Sequence, residues 1–267
     1  MDDQDIRPGD ARPGGLLEPL RILAVALQFL TRLPVPQIPV VDGDLRRATG
    51  AFPLVGLIVG GIVLAIWATL DTLLGPVVAA VGAVGVAVAV TGAFHEDGLA
   101  DTFDGLWGGW DPERRIEIMR DSRIGTYGAS ALILSLLARS TLLAQADLVL
   151  AARAILLAHV VGRAAILLQI RWLPPVSDRG TGAQVADPVG GIGVTIAGTT
   201  TLATCILAVG VWTPLVLLIA IVGTAALRRT ARRRIGGLTG DVLGATQQVV
   251  LILSLATVVA LDRGALL

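Results

Sequence analysis

Three aspartates near the middle of the chain are spaced as they would be along one face of a helix. Asp97, Asp101 and Asp104 stand at positions i, i+4 and i+7, which at about 100° per residue places them within an arc of roughly 60°. Like charges on one face repel each other, so the cluster needs a positive partner. A hard divalent cation takes carboxylate oxygens and is often shared with substrate phosphates. The spacing therefore predicts a metal and catalytic site on these aspartates, with the adjacent Glu96 as a further catalytic residue and ligand.

Other residues of the same segment have the chemistry of a phosphate site. Arg120 and Arg123 can each hold phosphate oxygens through paired hydrogen bonds. Glu96 or Asp121 is the candidate to accept a proton. His95 is either a general base near neutral pH or a hydrogen-bonding residue that orients Glu96 or the substrate. Carboxylates for a metal together with arginines for phosphate oxygens are what phosphoryl or phosphodiester transfer requires; the alternative is a solvated loop with ordinary surface charge.

The composition of the chain is that of a membrane protein. Of its 267 residues 54% are hydrophobic and the mean hydropathy is +0.77, whereas soluble domains are about 45–50% apolar. We therefore expect an all-α fold, a polytopic helical membrane bundle. The formal net charge is zero, which gives no indication of a nucleic-acid partner. The single cysteine, Cys205, excludes a disulfide framework and a cysteine metal site.

The order of polar and apolar stretches divides the chain into a tail and one membrane domain. Residues 1–19 are polar and rich in proline and glycine, which predicts a disordered tail, and residues 20–267 then form a single transmembrane helical domain. Leu20–Leu33 is apolar but only 14 residues long, so we expect an interfacial helix. About seven stretches are long enough to span: Ala51–Leu74, Pro76–Phe94, Gly128–Ala144, Val149–Ile170, Gly193–Val211, Thr213–Leu227 and Asp241–Leu261.

The distribution of arginine predicts how these spans are oriented. Arginines lie in alternate connections, around residues 46–47, 114–123, 171–179 and 228–234, and the intervening connections carry none. By the positive-inside rule the arginine-bearing connections face the cytoplasm. The N-terminus is then inside, the C-terminus is outside, and every polar motif lies on the cytoplasmic face.

Two further sites are candidates for binding the substrate. Gly236–Thr246 is a glycine-rich turn that leads into a helix, and such a turn can bind an anion through free N–H groups. Thr239 is there either an N-cap or, with Asp241, a substrate-binding residue. Arg163 lies within an apolar span and either extends outward to water or pairs with an acid such as Asp97 or Asp104.

Four other basic residues in or beside the spans are weaker candidates for a functional role. Arg179 lies in a loop with paired prolines and glycines and either contacts substrate or belongs to a plain loop. His159, one turn further into its span than Arg163, is expected to form a hydrogen bond between helices. Arg139 and Arg153 are expected toward the opposite surface, as snorkelling or structural residues.

Several motifs resemble the cobalamin synthase family, the adenosylcobinamide-GDP ribazoletransferases. They cover most of the chain in order: FLTRLPVP (29–36), AFPLVG (51–56), HEDGLADTFDGLWGG (95–109), IMRDSRIGTYG (118–128) and GGLTGDVLGA (236–245). The family often carries acidic residues after the last block, where this chain has Gln247, Gln248 and Leu251, so no carboxylate role is carried over there.

The resemblance implies a function in the last stage of cobalamin biosynthesis. The ribose hydroxyl of α-ribazole, or of its 5′-phosphate, attacks the cobinamide-bearing phosphorus of adenosylcobinamide-GDP, and GMP leaves. The family also implies Mg²⁺ as cofactor and a location in the bacterial inner membrane with the active site facing the cytoplasm. The implied partners are the corrinoid-GDP and α-ribazole substrates, membrane lipid and other corrinoid-assembly enzymes, with no nucleic acid.

Two other functions share part of this pattern. A CDP-alcohol phosphotransferase also uses aspartates on membrane helices and a nucleotide diphosphate donor, but its pattern DGxxAR does not match this chain, which has Asp101 and Thr102 where that pattern has alanine and arginine. A divalent-cation or proton transporter could use the acid cluster, but its ionisable residues should lie near mid-membrane. Here most of them lie at one edge, beside arginines suited to phosphate.

Overall fold

Helices make up the regular structure of the described chain, which confirms the expected all-α class. The computed structural model describes residues 18–41, 43–177, 180–186 and 190–265, so most of the predicted tail lies outside it. The α-helices are α1 (Glu18–Leu30), α2 (Asp44–Ala48), α3 (Phe52–Leu74), α4 (Pro76–Thr91), α5 (Phe94–Gly108), α6 (Pro112–Met119), α7 (Thr126–Leu143), α8 (Leu148–Trp172), α9 (Thr181–Val185), α10 (Gly191–Val209), α11 (Thr213–Ile235) and α12 (Gly240–Asp262).

The centre of the bundle is formed by α8, packed between α3 and α12. The most apolar windows of α8 and α12 are 72% and 78% buried, whereas the window in the stretch that holds α10 and α11 is 22% buried. Glycines bring the central backbones together: a Cβ on Gly56 would lie 2.5 Å from the carbonyl oxygen of His159, and one on Gly162 would lie 2.9 Å from that of Gln247. Small residues at crossings are how membrane helices gain contact, so these glycines determine the centre of the fold.

The predicted spans are recovered with one change of shape. Five stretches are long and apolar enough to cross a membrane, or up to six if the bent pair α4 and α5 counts as one. The longest, Gly191–Ile235, has 45 residues and contains both α10 and α11, which are separated by a break at Gly210–Trp212. The expected number of about seven spans is therefore only approximate.

The second predicted span does not run straight to Phe94. α4 ends at Thr91, and α5 leaves it at an angle of 90°. Gly92 and Ala93 make this corner with φ of 62° and 58°, and for Ala93 a left-handed backbone is uncommon. The corner directs α5 across the bundle, where it packs against α7 and α12.

The arginine-bearing connections meet at one end of the bundle, as the alternating pattern predicts. Arg115 donates to the carbonyl oxygen of Arg234 at 3.0 Å, and Arg228 donates to that of Trp172 at 3.1 Å. At the opposite end Arg263 bonds to Gln145. We call these the arginine end and the opposite end of the bundle.

Candidate active site

Two of the three predicted aspartates form an open acidic face on α5. Asp97 is exposed and Asp101 is half-buried, and their carboxylates have no hydrogen bond or ion pair with any residue the structure describes. Asp97, Asp241 and Asp104 all lie near enough to act on Asp101 electrostatically. Asp241 therefore joins the face from α12, although it is 140 positions away from Asp101 in the sequence.

Glycines explain why α5 and α12 bring these acids together. A Cβ on Gly98 would lie 2.9 Å from the carbonyl oxygen of Asp241 and 3.2 Å from the Cα of Gly244. Real side chains do not fit at such distances, so the two backbones touch where both motifs carry glycine. The glycines that follow the acids are thus packing residues, and their effect is to place Asp97 and Asp101 beside Asp241.

Asp104 lies on the same arc of α5, but its carboxylate is engaged in hydrogen bonds with the protein. It is 7% exposed, and its carboxylate accepts the N–H groups of Gly125 at 2.7 Å and Gly128 at 2.8 Å. These N–H groups are among the free donors at the start of α7, where a negative charge is favourable. Asp104 therefore caps α7 from another helix, and its oxygens are already engaged by protein donors.

Glu96 points into the bundle and is paired with Arg139. Arg139 Nη1 donates to Glu96 Oε1 at 2.8 Å, and Gln248 Nε2 donates to the same oxygen at 2.9 Å. Arg139 also reaches Gln248 Oε1 at 3.2 Å, and all three side chains are buried. Of the two expectations for Arg139, snorkelling toward the opposite surface is wrong and a structural role is supported, because Arg139 is buried and paired with an acid from α5.

The two histidines and Arg163 are buried beside this pair. Arg163 is fully buried; its Nη1 lies 3.2 Å from His159 Nδ1 and also donates to the His159 carbonyl oxygen. It neither extends to water nor pairs with Asp97 or Asp104, and the contact of His159 lies within α8 rather than between helices. His95 is 1% exposed, and its Nε2 has no partner among the described residues.

A polar cleft adjoins the acidic face at the arginine end. Its volume is about 170 Å³, and it is lined by Arg120, Thr239 and Asp241, together with backbone near Gly180 and Gly240. Thr239 is the N-cap of α12, since its Oγ1 accepts the N–H of Val242 at 3.2 Å. Arg120 is exposed and has no ion-pair partner among the described residues, so it is free to hold an anion in this cleft.

Asp121 and Arg123 are paired with each other on the surface. Arg123 Nη2 lies 2.6 Å from Asp121 Oδ2, and the hydrogen bonds from Arg123 lower the pKa of Asp121 to about 2. A carboxylate with so low a pKa is a weak base. Asp121 and Arg123 thus engage each other, and Arg179 lies outside the described residues.

The acidic face fits a magnesium ion that substrate phosphates help to hold. Among the described residues no three histidine, cysteine, aspartate or glutamate side chains gather closely enough to enclose a metal. Magnesium sites in phosphate enzymes use one or two carboxylates and complete the shell with phosphates and water. The free carboxylates of Asp97 and Asp101 match that pattern, whereas Glu96 and Asp104 already have protein partners.

Comparison with known proteins decides the family. The model of the family described as cobalamin-5-phosphate synthase matches residues 22–259. This chain belongs to the cobalamin-5-phosphate synthase family. The match covers the acidic face, the polar cleft and the Glu96–Arg139 pair, and it confirms the resemblance of the motifs.

Three curated relatives of this chain share one name. A protein of Bradyrhizobium diazoefficiens named adenosylcobinamide-GDP ribazoletransferase is 42% identical over 91% of this chain and 94% of its own. Proteins of the same name from Vibrio cholerae and Shewanella pealeana are 38% and 41% identical, over 88% and 86% of this chain and 91% of their own. No solved structure matches the chain significantly.

Two residues of the polar interior, Arg139 and Gln248, were not predicted as functional from the sequence. Both are polar positions inside apolar spans, a signal that indicates function or a buried partner. Arg139 also follows Ser135 by one turn, and Ser135 Oγ lies 3.5 Å from Gln248 Oε1. The sequence does not show which way a mid-span arginine turns, because that depends on the acid brought to it by α5.

Proposed function

We propose that this protein transfers the cobinamide-phosphate moiety of adenosylcobinamide-GDP to the ribose hydroxyl of α-ribazole or its 5′-phosphate. The products are adenosylcobalamin, or its 5′-phosphate, and GMP. The observation that carries the proposal is the pair of unpartnered aspartates, Asp97 and Asp101, beside a cleft that holds an unpaired arginine, Arg120. The 38–42% identity to ribazoletransferases over most of the chain supports the same reaction.

The contacts of each residue indicate its role in the proposed reaction. The ribose oxygen forms a bond to the cobinamide-bearing phosphorus, the bond from that phosphorus to the GMP oxygen breaks, and the hydroxyl proton leaves to a base. Arg120 holds phosphate oxygens in the cleft. Glu96 and Asp121 are each bound to an arginine, which leaves the open-face aspartates to receive the proton.

Asp97 and Asp101 would hold Mg²⁺ together with the diphosphate of the substrate. The bound ion would neutralise charge on the diphosphate and polarise the attacked phosphorus. Asp241 adds negative charge beside them, which increases the attraction of the face for a cation. Without a cation the same charges repel an anionic substrate, so the acidic face alone does not suit a diphosphate.

The site belongs on the cytoplasmic side of the bacterial inner membrane. The acidic face and the cleft lie at the arginine end of the bundle, and arginine-rich connections stay in the cytoplasm. The multi-pass helices then keep the reaction at the membrane surface.

The direct test is incubation of the purified protein with adenosylcobinamide-GDP, α-ribazole and Mg²⁺, with the products identified by mass. Formation of adenosylcobalamin and GMP, abolished by excess chelator, is the expected result. Absence of both products from folded protein would overturn the assignment. Metal flux into vesicles without turnover of the nucleotide would favour the transporter instead; no specific observation favours it or the CDP-alcohol phosphotransferase.

A further inference from the structure

An apolar groove runs along another side of the helix that carries the acidic face. It lies between α5, α11 and α12, has a volume of about 580 Å³, and Thr230 is the only hydroxyl-bearing residue in its lining. Phe103 and Trp107 of α5 form one wall, with their rings stacked at 4.9 Å. We call this the α5–α11 groove; none of its residues takes part in the proposed chemistry.

The groove opens toward the hydrocarbon of the membrane. The stretch that includes α11 has the low burial of a peripheral element, 22%, and the lining residues Leu218 and Val222 are 56% and 59% exposed. The groove follows α11 from Leu218 to Thr230, which at 1.5 Å per residue is about 18 Å. That length is close to one leaflet, half of the roughly 30 Å hydrocarbon core.

The part of the groove that lies at the arginine end of the bundle carries positive charge. Arg234 lies over the Trp107 ring, with its Cζ 5.0 Å from the ring centroid, and donates to the carbonyl oxygen of Leu106. Three neighbours on α11 are exposed and have no ion pair with any described residue: Arg229, Arg232 and Arg233. Arg233 follows Val222, Ala226 and Thr230 on the groove side of the helix, because these positions recur at helical spacing.

We propose that the α5–α11 groove binds one anionic phospholipid. An acyl chain fills the apolar length, and the phosphate headgroup meets the free arginines at the membrane surface, where each basic residue attracts anionic lipid. A zwitterionic lipid fits the groove equally well but gains less from the arginines. The bound chain packs against Phe103 and Trp107, so it supports α5 from a different side than the one that carries Asp97 and Asp101.

The test is native mass spectrometry of the purified full-length protein offered equal amounts of phosphatidylglycerol and phosphatidylcholine. Wild type is expected to retain one phosphatidylglycerol in preference to phosphatidylcholine, and glycerol 3-phosphate, which has no acyl chains, should not displace it. Equal retention of the two lipids would overturn the proposal. So would displacement by glycerol 3-phosphate, or a protein dimer in place of the lipid adduct.

A filled-groove variant and a matched control, compared with wild type, locate the site. Val222→Trp with Ala226→Trp fills the groove and should abolish the adduct, whereas Ile221→Trp, on the exposed neighbouring surface of α11, should retain it. Retention by the filled groove would place the lipid elsewhere and overturn the proposal. All three proteins are first checked for a single monodisperse species.

The headgroup is tested without altering the groove. Arg233→Gln should weaken retention of phosphatidylglycerol about fivefold, the effect of one basic residue at an anionic surface, and leave phosphatidylcholine unchanged. Arg153→Gln at the opposite end removes the same charge and should have no effect. Equal effects of the two substitutions would overturn the role of the arginines.

Discussion

Four acidic residues of α5 do three different kinds of work. Asp97 and Asp101 have free carboxylates on an open face, Asp104 caps the start of α7, and Glu96 is bound to Arg139 inside the bundle. The difference follows from what each side chain meets, since an acid that already accepts strong hydrogen bonds has fewer lone pairs for a cation. The chemistry of the site is therefore assigned to the two free aspartates.

Asp97→Asn and Asp101→Asn should each reduce ribazole transfer about 100-fold or more, because metal-assisted charge stabilisation is worth several kcal/mol. Each variant should also need more Mg²⁺ for half-maximal activity. Steady-state assays over a range of Mg²⁺ concentrations check this. Glu113→Gln, which removes an exposed acid from α6, is the control and should behave as wild type. Turnover near the wild-type rate in both aspartate variants would remove the metal hypothesis.

Asp104→Asn should act on stability rather than on the metal. An amide has one acceptor oxygen where the carboxylate has two, so an N–H of Gly125 or Gly128 loses its partner, which costs roughly 1–3 kcal/mol. The melting temperature should fall, while the Mg²⁺ concentration for half-maximal activity stays unchanged in the protein that remains folded. A shift in the Mg²⁺ requirement like that of Asp97→Asn would instead make Asp104 a ligand.

At the scale of elements, the position of α5 determines the site. It leaves α4 at a right angle, touches α12 through Gly98 and Gly244, and is bound at its first turn by Arg139 of α7. These contacts fix the rotation of α5 about its own axis. That rotation decides which acids face the cleft and which face the interior.

Gly98→Ala tests the contact of α5 with α12. The added methyl group would meet the carbonyl oxygen of Asp241 at 2.9 Å, so the helices must separate at a cost of about 1–3 kcal/mol. We expect lower thermal stability and a loss of transfer activity larger than the loss of folded protein. Gly61→Ala is the matched control, because its methyl group meets no atom within 4 Å. Equal behaviour of the two variants would contradict the close crossing.

Arg139→Met tests the buried ion pair. Removal of one partner leaves Glu96 charged and unpaired in the interior, which costs about 3–5 kcal/mol. The double variant Glu96→Gln with Arg139→Met removes both charges and should recover part of the lost stability, measured by thermal unfolding in the same detergent. Arg153→Gln, at an exposed arginine, should leave the melting temperature unchanged. If the double variant is no more stable than Arg139→Met, the two side chains do not act as a pair.

At the scale of the whole molecule, the arginine-rich connections and the proposed active site lie at the same end of the bundle. The connections that carry arginine also carry the acidic face, the polar cleft and the inner mouth of the α5–α11 groove. The opposite end has short turns and isolated arginines. One orientation in the membrane therefore places every proposed contact with nucleotide, ribazole and lipid headgroup on the same side.

Cysteine labelling in intact cells tests this orientation. Trp110, 93% exposed at the arginine end, and Val211, 87% exposed at the opposite end, are each replaced by cysteine. A membrane-impermeant maleimide should label Val211→Cys in intact cells and Trp110→Cys only after lysis. The native Cys205 is fully buried and serves as the background. Labelling of Trp110→Cys in intact cells would place the site outside.

Periodicity and composition predicted much of this fold. Long apolar stretches can be identified as membrane-spanning helices, because a helix satisfies its backbone hydrogen bonds within the lipid. The alternating arginines predicted which connections lie at the same end of the bundle. The i, i+4, i+7 spacing also predicted that Asp97, Asp101 and Asp104 lie on a helix. The prediction that the second span continues straight to Phe94 was wrong at Gly92 and Ala93. A corner between two apolar helices does not change the hydropathy, so the sequence carries no signal of it.

By itself the sequence determined the family, the helical class and the segment that holds the chemistry, because these depend on residue types and on local spacing. Only the tertiary structure decided which acids are free. Asp241 joins Asp101 across the chain, Asp104 meets the start of α7, and Arg139 turns inward to Glu96. Each of these outcomes depends on how α5 is rotated against α7 and α12, and that rotation is set by contacts between residues far apart in the sequence.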